Sequence, residues 1–189
     1  MEIGLFFGSF NPIHTGHMII ANLALELAGL QEVWFVVSPQ NPHKRPGSLL
    51  HEFDRYDMVE AAISDDYHFR ACDIEFHMTK PAYTAETLAH LSDRHPGHTF
   101  RLILGEDNLH TLSRWKNHQA LFEYGLIVYP RPGCADKKRP EYPNVEFIEA
   151  PMIDISATLI RKLIQNGKSI RYLVPEPVRQ LIEARKHYL

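Results

Sequence analysis

Cysteine is scarce in this chain. There are two, Cys72 and Cys134, with no C-x-x-C spacing, so a disulfide framework is not expected and a reducing compartment fits. No uninterrupted apolar run approaches the roughly 18 residues of a membrane span. The first residues lack the basic stretch and apolar run of a secretory leader. Charge of one sign is also lacking: the formal net charge is -3, so no global basic field points to nucleic acid. Basic residues gather locally in CADKKRPEYP (134–143), but among turn formers, which reads as a solvated loop. Neither an internal repeat nor a low-complexity tract is present. These absences predict a cytoplasmic protein with no nucleic-acid and no membrane partner. They leave the oligomeric state open, a homo-oligomer included. The 189 residues suit one domain, 1–189, able to bury a sizeable core.

What is present is alternation. Ile3–Gly8 reads as a buried strand, His17–Gly29 as a helix closed by glycine, and Glu32–Ser38 as the next strand. SPQNPHKRPGS follows as a loop dense in Pro, Gly and Asn. Further on, Glu52–Ser64 is amphipathic, His68–Phe76 is a strand candidate, Thr84–Asp93 a helix and Phe100–Leu104 a strand. Trp115–Glu123 reads as a helix, Leu126–Tyr129 and Val145–Ile148 as strands, and Ala157–Asn166 and Glu176–Lys186 as helices. Strands alternating with helices predict an α/β, Rossmann-like, doubly wound fold: a mainly parallel sheet with helices on both faces. The strands' continuous apolar character agrees, since parallel strands are buried on both sides. The last two helices, in about 151–189, are expected to pack on the same domain. Ligands in such folds bind at the carboxyl ends of strands, where strand order reverses. Three loops reach that edge: GSFNPIHTGH (8–17), the loop after Glu32–Ser38, and LGEDN after Phe100–Leu104.

GSFNPIHTGH places His14 and His17 three apart between a strand and a helix. Three readings are open. The pair could be zinc ligands, but zinc needs at least a third protein ligand, no cysteine is near and no H-E-x-x-H pattern exists. It could be a plain Asn-Pro turn with solvated imidazoles. Or it could bind phosphate: a helix beginning here presents unpaired N–H groups and a positive dipole end, Gly8 lets an anion approach the backbone, and two imidazoles add donors. The turn is neither a Walker A loop nor G-x-G-x-x-G. A second anion-favouring helix start lies at ISATLIR (155–161), where Ser156 is a natural N-cap. Arg161 sits five residues on, with a side chain long enough to lean back toward the helix start.

Together SFNPIHTGH and ISATLIR resemble the nucleotidyltransferase superfamily that shares a (T/S)-F-(D/N)-P-x-H-x-G-H turn and an I-S-S-T-x-I-R helix start. The segments between them resemble one family of it, the bacterial nicotinate mononucleotide adenylyltransferases. NPHK (41–44), PAYTAETL (81–88), GEDNLHTLSRW (105–115), YPRPG (129–133) and LVPEPVRQLI (173–182) all find counterparts, so the resemblance covers nearly the whole chain. The chain departs from the family pattern at Ser9, Asn11, Asn41, Lys116 and Ala157, where threonine, aspartate, proline, an aromatic residue and serine are usual.

The resemblance implies an enzyme of NAD biosynthesis that takes ATP and nicotinate mononucleotide to nicotinate adenine dinucleotide and pyrophosphate. It implies that Gly8, Ser9 and Phe10 line the adenosine, and that His14 and His17 bind the triphosphate and stabilise charge in the transition state. Ser156 and Arg161 would hold the β- and γ-phosphates, with His14, His17 and Arg161 as the catalytic set. For the mononucleotide it implies Asp107 on the ribose, Trp115 stacked on the ring, the Tyr83–Thr84 backbone on the carboxylate, Gly105 in the same segment and Lys44 over the phosphates. Magnesium would be bridged by the phosphates and held by no protein ligand. Transferases of the same superfamily acting on nicotinamide mononucleotide or phosphopantetheine, and a nucleotide-binding sensor without turnover, are the competing readings.

Overall fold

The apolar runs assemble into one sheet of six parallel strands. A computed structural model describes residues 1–39, 49–134 and 138–189. The strands are β1 (Glu2–Gly8), β2 (Glu32–Val37), β3 (Phe69–Cys72), β4 (Thr99–Gly105), β5 (Leu126–Tyr129) and β6 (Val145–Phe147), in the order β3-β2-β1-β4-β5-β6. Every pairing is parallel. This is the Rossmann-like, doubly wound arrangement, with the reversal of strand order between β1 and β4. The helices are α1 (Thr15–Leu27), α2 (Glu52–Ile63), α3 (Thr84–Arg94), α4 (Glu106–Leu109), α5 (Leu121–Tyr124), α6 (Ala157–Gln165) and α7 (Glu176–Arg185).

Period-two alternation divides the core into two layers. Phe6, Val33, Phe35, Val37, Ile103 and Ile127 point to one face, where they meet buried residues of α1, α2, α6 and α7. Ile3, Leu5, Trp34, Val36, Phe100, Leu102, Leu104, Leu126 and Val128 point to the other, covered by α3, α4 and α5. Ile160 of α6 and Val178 and Ile182 of α7 are buried in the first layer. No helix among the described residues is long and apolar enough to cross a membrane. Both cysteines are free.

Three elements differ from the sequence expectation. The first helix begins at Thr15, two residues earlier than the periodicity indicated, with His14 extended at its N-cap. The strand expected over His68–Phe76 is confined to β3, because Asp73 leaves the extended region (φ -101°, ψ 12°) and starts a 3-10 turn, Ile74–His77. The helix expected over Trp115–Glu123 is broken by Asn117 in the left-handed region (φ 53°), which leaves a 3-10 turn, His118–Ala120, before the short α5.

One buried side chain fixes the carboxyl edge of the sheet. Arg55 of α2 is fully buried. Its guanidinium donates to the carbonyls of Ser9 (2.5 Å), Ser38 (2.8 Å), Pro39 (3.0 Å) and Leu50 (3.0 Å). Those carbonyls belong to the turns after β1 and β2 and to the residues before α2, where the sheet ladder no longer supplies donors. Burial lowers the Arg55 pKa, opposed by Glu52 and the Tyr188 phenol. Arg55→Met is expected to strand four buried acceptors and lower unfolding stability by about 3 kcal/mol or more, with Arg55→Lys between it and the wild type; urea denaturation checks both.

Candidate active site

The first turn after β1 is shaped by Phe10. Its backbone is left-handed (φ 42°), and its ring folds back under Gly8, where a Cβ would come within 2.7 Å of Cζ. The ring packs edge-on against Phe6, His17 and Phe35. The sequence reading assigned the room at Gly8 to an approaching anion. The structure fills that room with the Phe10 ring, so the glycine serves the turn's packing, although Gly8 still borders the cavity described next.

Between the diverging carboxyl ends of β1, β4 and β5 lies a cavity of about 420 Å³. Gly8, Ser9, Phe10, Asn11, His14 and His17 line it from the first turn; Asp107, Tyr129 and Arg131 line it from β4 and β5. Ile153, Ile155, Ser156, Ala157, Thr158 and Arg161 close the opposite side. Residues 9–17 and 155–161, some 140 positions apart in the chain, therefore share one wall system.

The two histidines act as a unit. Their rings stack with centroids 3.6 Å apart and planes 24° apart. Nitrogen lone pairs lie in the ring plane, so rings stacked in this way do not converge on one metal ion. The His17 Nδ1 accepts the His14 backbone N–H at 3.2 Å. That bond assigns the neutral ring's proton to Nε2 and makes His17 a donor from its far side. His14 is buried, and its pKa is lowered to about 4, first by burial and then by the Arg131 charge.

The cations are held loosely. Arg161 Nη1 donates to the Asn11 carbonyl at 2.8 Å, and Nη2 to the Thr158 hydroxyl at 3.3 Å. It leans toward the start of α6 and bridges to the first turn. Ser156 caps α6, its Oγ accepting the Leu159 N–H at 3.2 Å. Arg131 Nε lies 3.6 Å from Asp107 Oδ1, a distance of attraction rather than a tight pair. A Cβ on Gly105 would overlap the Asp107 carboxylate and Arg131 Cγ, so glycine is required for these two to approach.

The remaining expected residues form a second cluster. Tyr83 precedes α3 and Thr84 begins it. The Thr87 hydroxyl lies 2.9 Å from the buried Glu75 carboxyl and 3.2 Å from the Tyr83 carbonyl. Burial raises the Glu75 pKa. Lys116 Nζ stands 4.1 Å above the Tyr83 ring and 2.8 Å from Glu86 Oε1, so it straps the segment of Trp115 to the start of α3. Trp115 is half-buried against the second core layer. Gly105, Tyr83, Thr84 and Trp115 do not line the cavity. Lys44 lies outside the described residues.

Sequence reasoning missed Arg131 and Asn11. Arg131 carried a signal, a cation immediately after the strand Leu126–Tyr129 at the ligand-binding edge, but YPRPG was given no role. Asn11 carried none: its importance lies in partners that are far away in the chain. Among the described residues no three His, Cys, Asp or Glu side chains gather to hold a metal ion.

Known proteins resemble this chain over its full length. The cytidylyltransferase-like family model matches residues 5–163. A probable nicotinate-nucleotide adenylyltransferase of Cytophaga hutchinsonii is 57% identical over 189 residues, covering 100% of this chain and 98% of that protein. A protein of the same description from Flavobacterium johnsoniae is 43% identical over 193 residues, covering 100% and 99%. Among solved structures, the Plasmodium falciparum nicotinic acid mononucleotide adenylyltransferase complexed with NaAD has a TM-score of 0.81 at 22% identity, covering 99% of this chain and 97% of that one. That last likeness concerns the fold.

The His14 titration gives a test with a definite sign. Its folded value, about 4, lies below the ordinary 6.5, so the unfolded chain binds the proton first as pH falls. The stability of the neutral ring is intact above about pH 6.5 and is lost on the way to about pH 4, on the order of 3 kcal/mol in all. Urea unfolding should show this loss, His14→Gln should flatten it, and NMR titration should find the His14 ring neutral at about pH 6.

Proposed function

We propose a mechanism from one premise: this chain belongs to the cytidylyltransferase-like family, and within it to the nicotinate-nucleotide adenylyltransferases. It is an enzyme that transfers the adenylyl group of ATP to nicotinate mononucleotide in NAD biosynthesis. The products are nicotinate adenine dinucleotide and pyrophosphate. The observation that carries the mechanism is the cavity itself: imidazoles, two guanidiniums and the start of α6 face one space at the reversal of strand order.

In this reading a phosphate oxygen of the mononucleotide attacks the α-phosphorus of ATP. The bond from that phosphorus to the bridging oxygen breaks, and pyrophosphate leaves with the electron pair. The nucleophile is already an anion, so neither a nucleophilic side chain nor a general base is needed. The protein supplies position and charge. The backbone of Gly8, Ser9 and Phe10 lines the adenosine. His17 donates from Nε2 to the triphosphate. His14, neutral in the free protein, gains a proton more readily as phosphate charge arrives beside it. Arg161 and Ser156, with the N–H groups at the start of α6, hold the β- and γ-phosphates and stabilise the charge that accumulates on the leaving pyrophosphate.

Asp107 receives the acceptor ribose, and Arg131 stands where the phosphate chains of the two substrates meet. Trp115 stacks on the pyridine ring, the Tyr83–Thr84 backbone takes its carboxylate, Gly105 keeps the approach open, and Lys44 neutralises phosphate charge. Magnesium bound with ATP would draw negative charge off the triphosphate. ATP and a mononucleotide are metabolites of the cytoplasm, which is where the enzyme is placed in this reading.

Purified protein is expected to release pyrophosphate from ATP and magnesium faster with nicotinate mononucleotide than with nicotinamide mononucleotide, followed by a coupled phosphate assay. Equal rates would keep the chemistry and discard the acceptor preference. His17→Ala is expected to lower kcat by about 10²–10³ with an unchanged circular dichroism spectrum, the loss typical of one transition-state donor.

A further inference from the structure

Asn11 joins four parts of the chain that are remote in sequence. Its carbonyl accepts from Arg161 at 2.8 Å. Its side-chain oxygen accepts twice: from the Leu50 backbone N–H at 3.2 Å and from the Tyr188 hydroxyl at 2.9 Å. Two donors on one oxygen fix which end of the amide is oxygen and lock the side chain's rotation. Asn11 is buried and lines the cavity.

The delivery of Tyr188 to this point is elaborate. Lys186 ends α7 in the left-handed region (φ 54°), the His187 N–H bonds back to the Ile182 carbonyl at 3.0 Å, and Tyr188 is itself left-handed (φ 68°). A left-handed backbone is unfavourable for a tyrosine and persists only where surrounding contacts enforce it. Arg185 supplies such contacts, gripping Asp54 (3.1 Å) and Asp57 (2.7 Å) of α2. The tyrosine ring packs on the first core layer, which would anchor the segment without any hydroxyl. The hydroxyl instead ends on Asn11, with Arg161, Arg55 and Asp54 around it; burial, chiefly, raises its pKa and keeps it a proton donor at neutral pH.

We propose that Tyr188 is a positioning residue for adenylyl transfer: through Asn11 it fixes the turn that carries His14 and His17 and the carbonyl on which Arg161 rests. The proposal rests on the reading that the cavity takes the triphosphate of ATP. Asn11 in this chain stands where the family pattern has aspartate. A neutral acceptor here leaves the field of Arg161 uncancelled toward the phosphates, so alignment must come from hydrogen bonds rather than from an ion pair, and the Tyr188 hydroxyl supplies one.

The experiment is a double-mutant cycle on the full chain with Tyr188→Phe and Asn11→Ala, reading kcat, KM for ATP, KM for nicotinate mononucleotide and Tm. Tyr188→Phe keeps the ring and is expected to fold. It should raise KM for ATP about fivefold, the change expected for one neutral hydrogen bond, with KM for the mononucleotide nearly unchanged. In the Asn11→Ala background the same substitution should add little, because the path to the phosphates is already cut. A KM for ATP within about twofold of wild type, equal rises for both substrates, or additive losses across the cycle would each overturn the role of Tyr188 while leaving the reaction standing. A wild-type protein that releases no pyrophosphate from ATP with either pyridine mononucleotide would overturn the underlying reading, and the proposal with it.

Discussion

A guanidinium without water is the constraint around which the site is organised. Taking a charge out of water costs several kcal/mol unless its donors find partners, and carbonyls take four of the five guanidinium N–H groups of Arg55. A carboxylate could have neutralised it from one side chain. Carbonyls can do so only if separate stretches of backbone converge, so the arginine compels the ends of β1 and β2 and the residues before α2 to meet. The Ser9 carbonyl is one of the four, and the residue after it is the left-handed Phe10. The conformation that brings Asn11, His14 and His17 to the cavity is therefore set from the side of α2. The contacts of Arg161 and Tyr188 to Asn11 come on top of an already directed turn.

A carbonyl partner recurs inside the cavity at Arg161. Arg161 rests on a carbonyl, Arg131 attracts Asp107 from 3.6 Å, and His14 is kept neutral by burial. A carbonyl holds Arg161 in place without cancelling its charge. In the proposed mechanism a phosphate arriving beside Arg161 competes with a carbonyl and a hydroxyl, and beside Arg131 with the Asp107 carboxylate. The exposed pair of Lys116 and Glu86, at 2.8 Å, is of another kind: a surface ion pair contributes little energy, and its place is to hold the Trp115 segment near Tyr83.

Much of this was legible in the residues. Strand positions followed from apolar runs, and the alternation of strands and helices gave the parallel sheet, because both signals are local and dominated by burial. Ser156 was recognisable as a cap and Arg161 as able to lean toward the helix start, since helix geometry is nearly context-free. Conformation set by distant partners was not legible. Asn117 in the left-handed region broke an expected helix, and nothing in its neighbours announced it. Gly8 was read as a door for an anion because a glycine's missing Cβ is visible in sequence, whereas the aromatic ring that occupies the space is placed by tertiary packing. Asn11 and Tyr188 lie 177 positions apart, and only the fold brings hydroxyl and amide together.

The layering of the sheet bears on the chemistry. The side chains proposed to hold the triphosphate rise from the layer that holds Phe10, Ile13 and Ile160. Trp115 and the first turns of α3 rise from the opposite layer, with Ala85 and Leu88. In the proposed mechanism ATP lies on the first side and the pyridine ring on the second, so the two substrates reach the carboxyl edge from opposite faces. They meet where β1 and β4 part, beside Asp107 and Arg131. Phosphoryl-type transfer needs the entering and leaving oxygens roughly in line across phosphorus. In the proposed mechanism a doubly wound sheet suits that line: the mononucleotide phosphate would enter from the α3 side and pyrophosphate would leave toward α6. On this argument strand order favours in-line geometry, and the role proposed for the histidines and arginines is to stabilise that path.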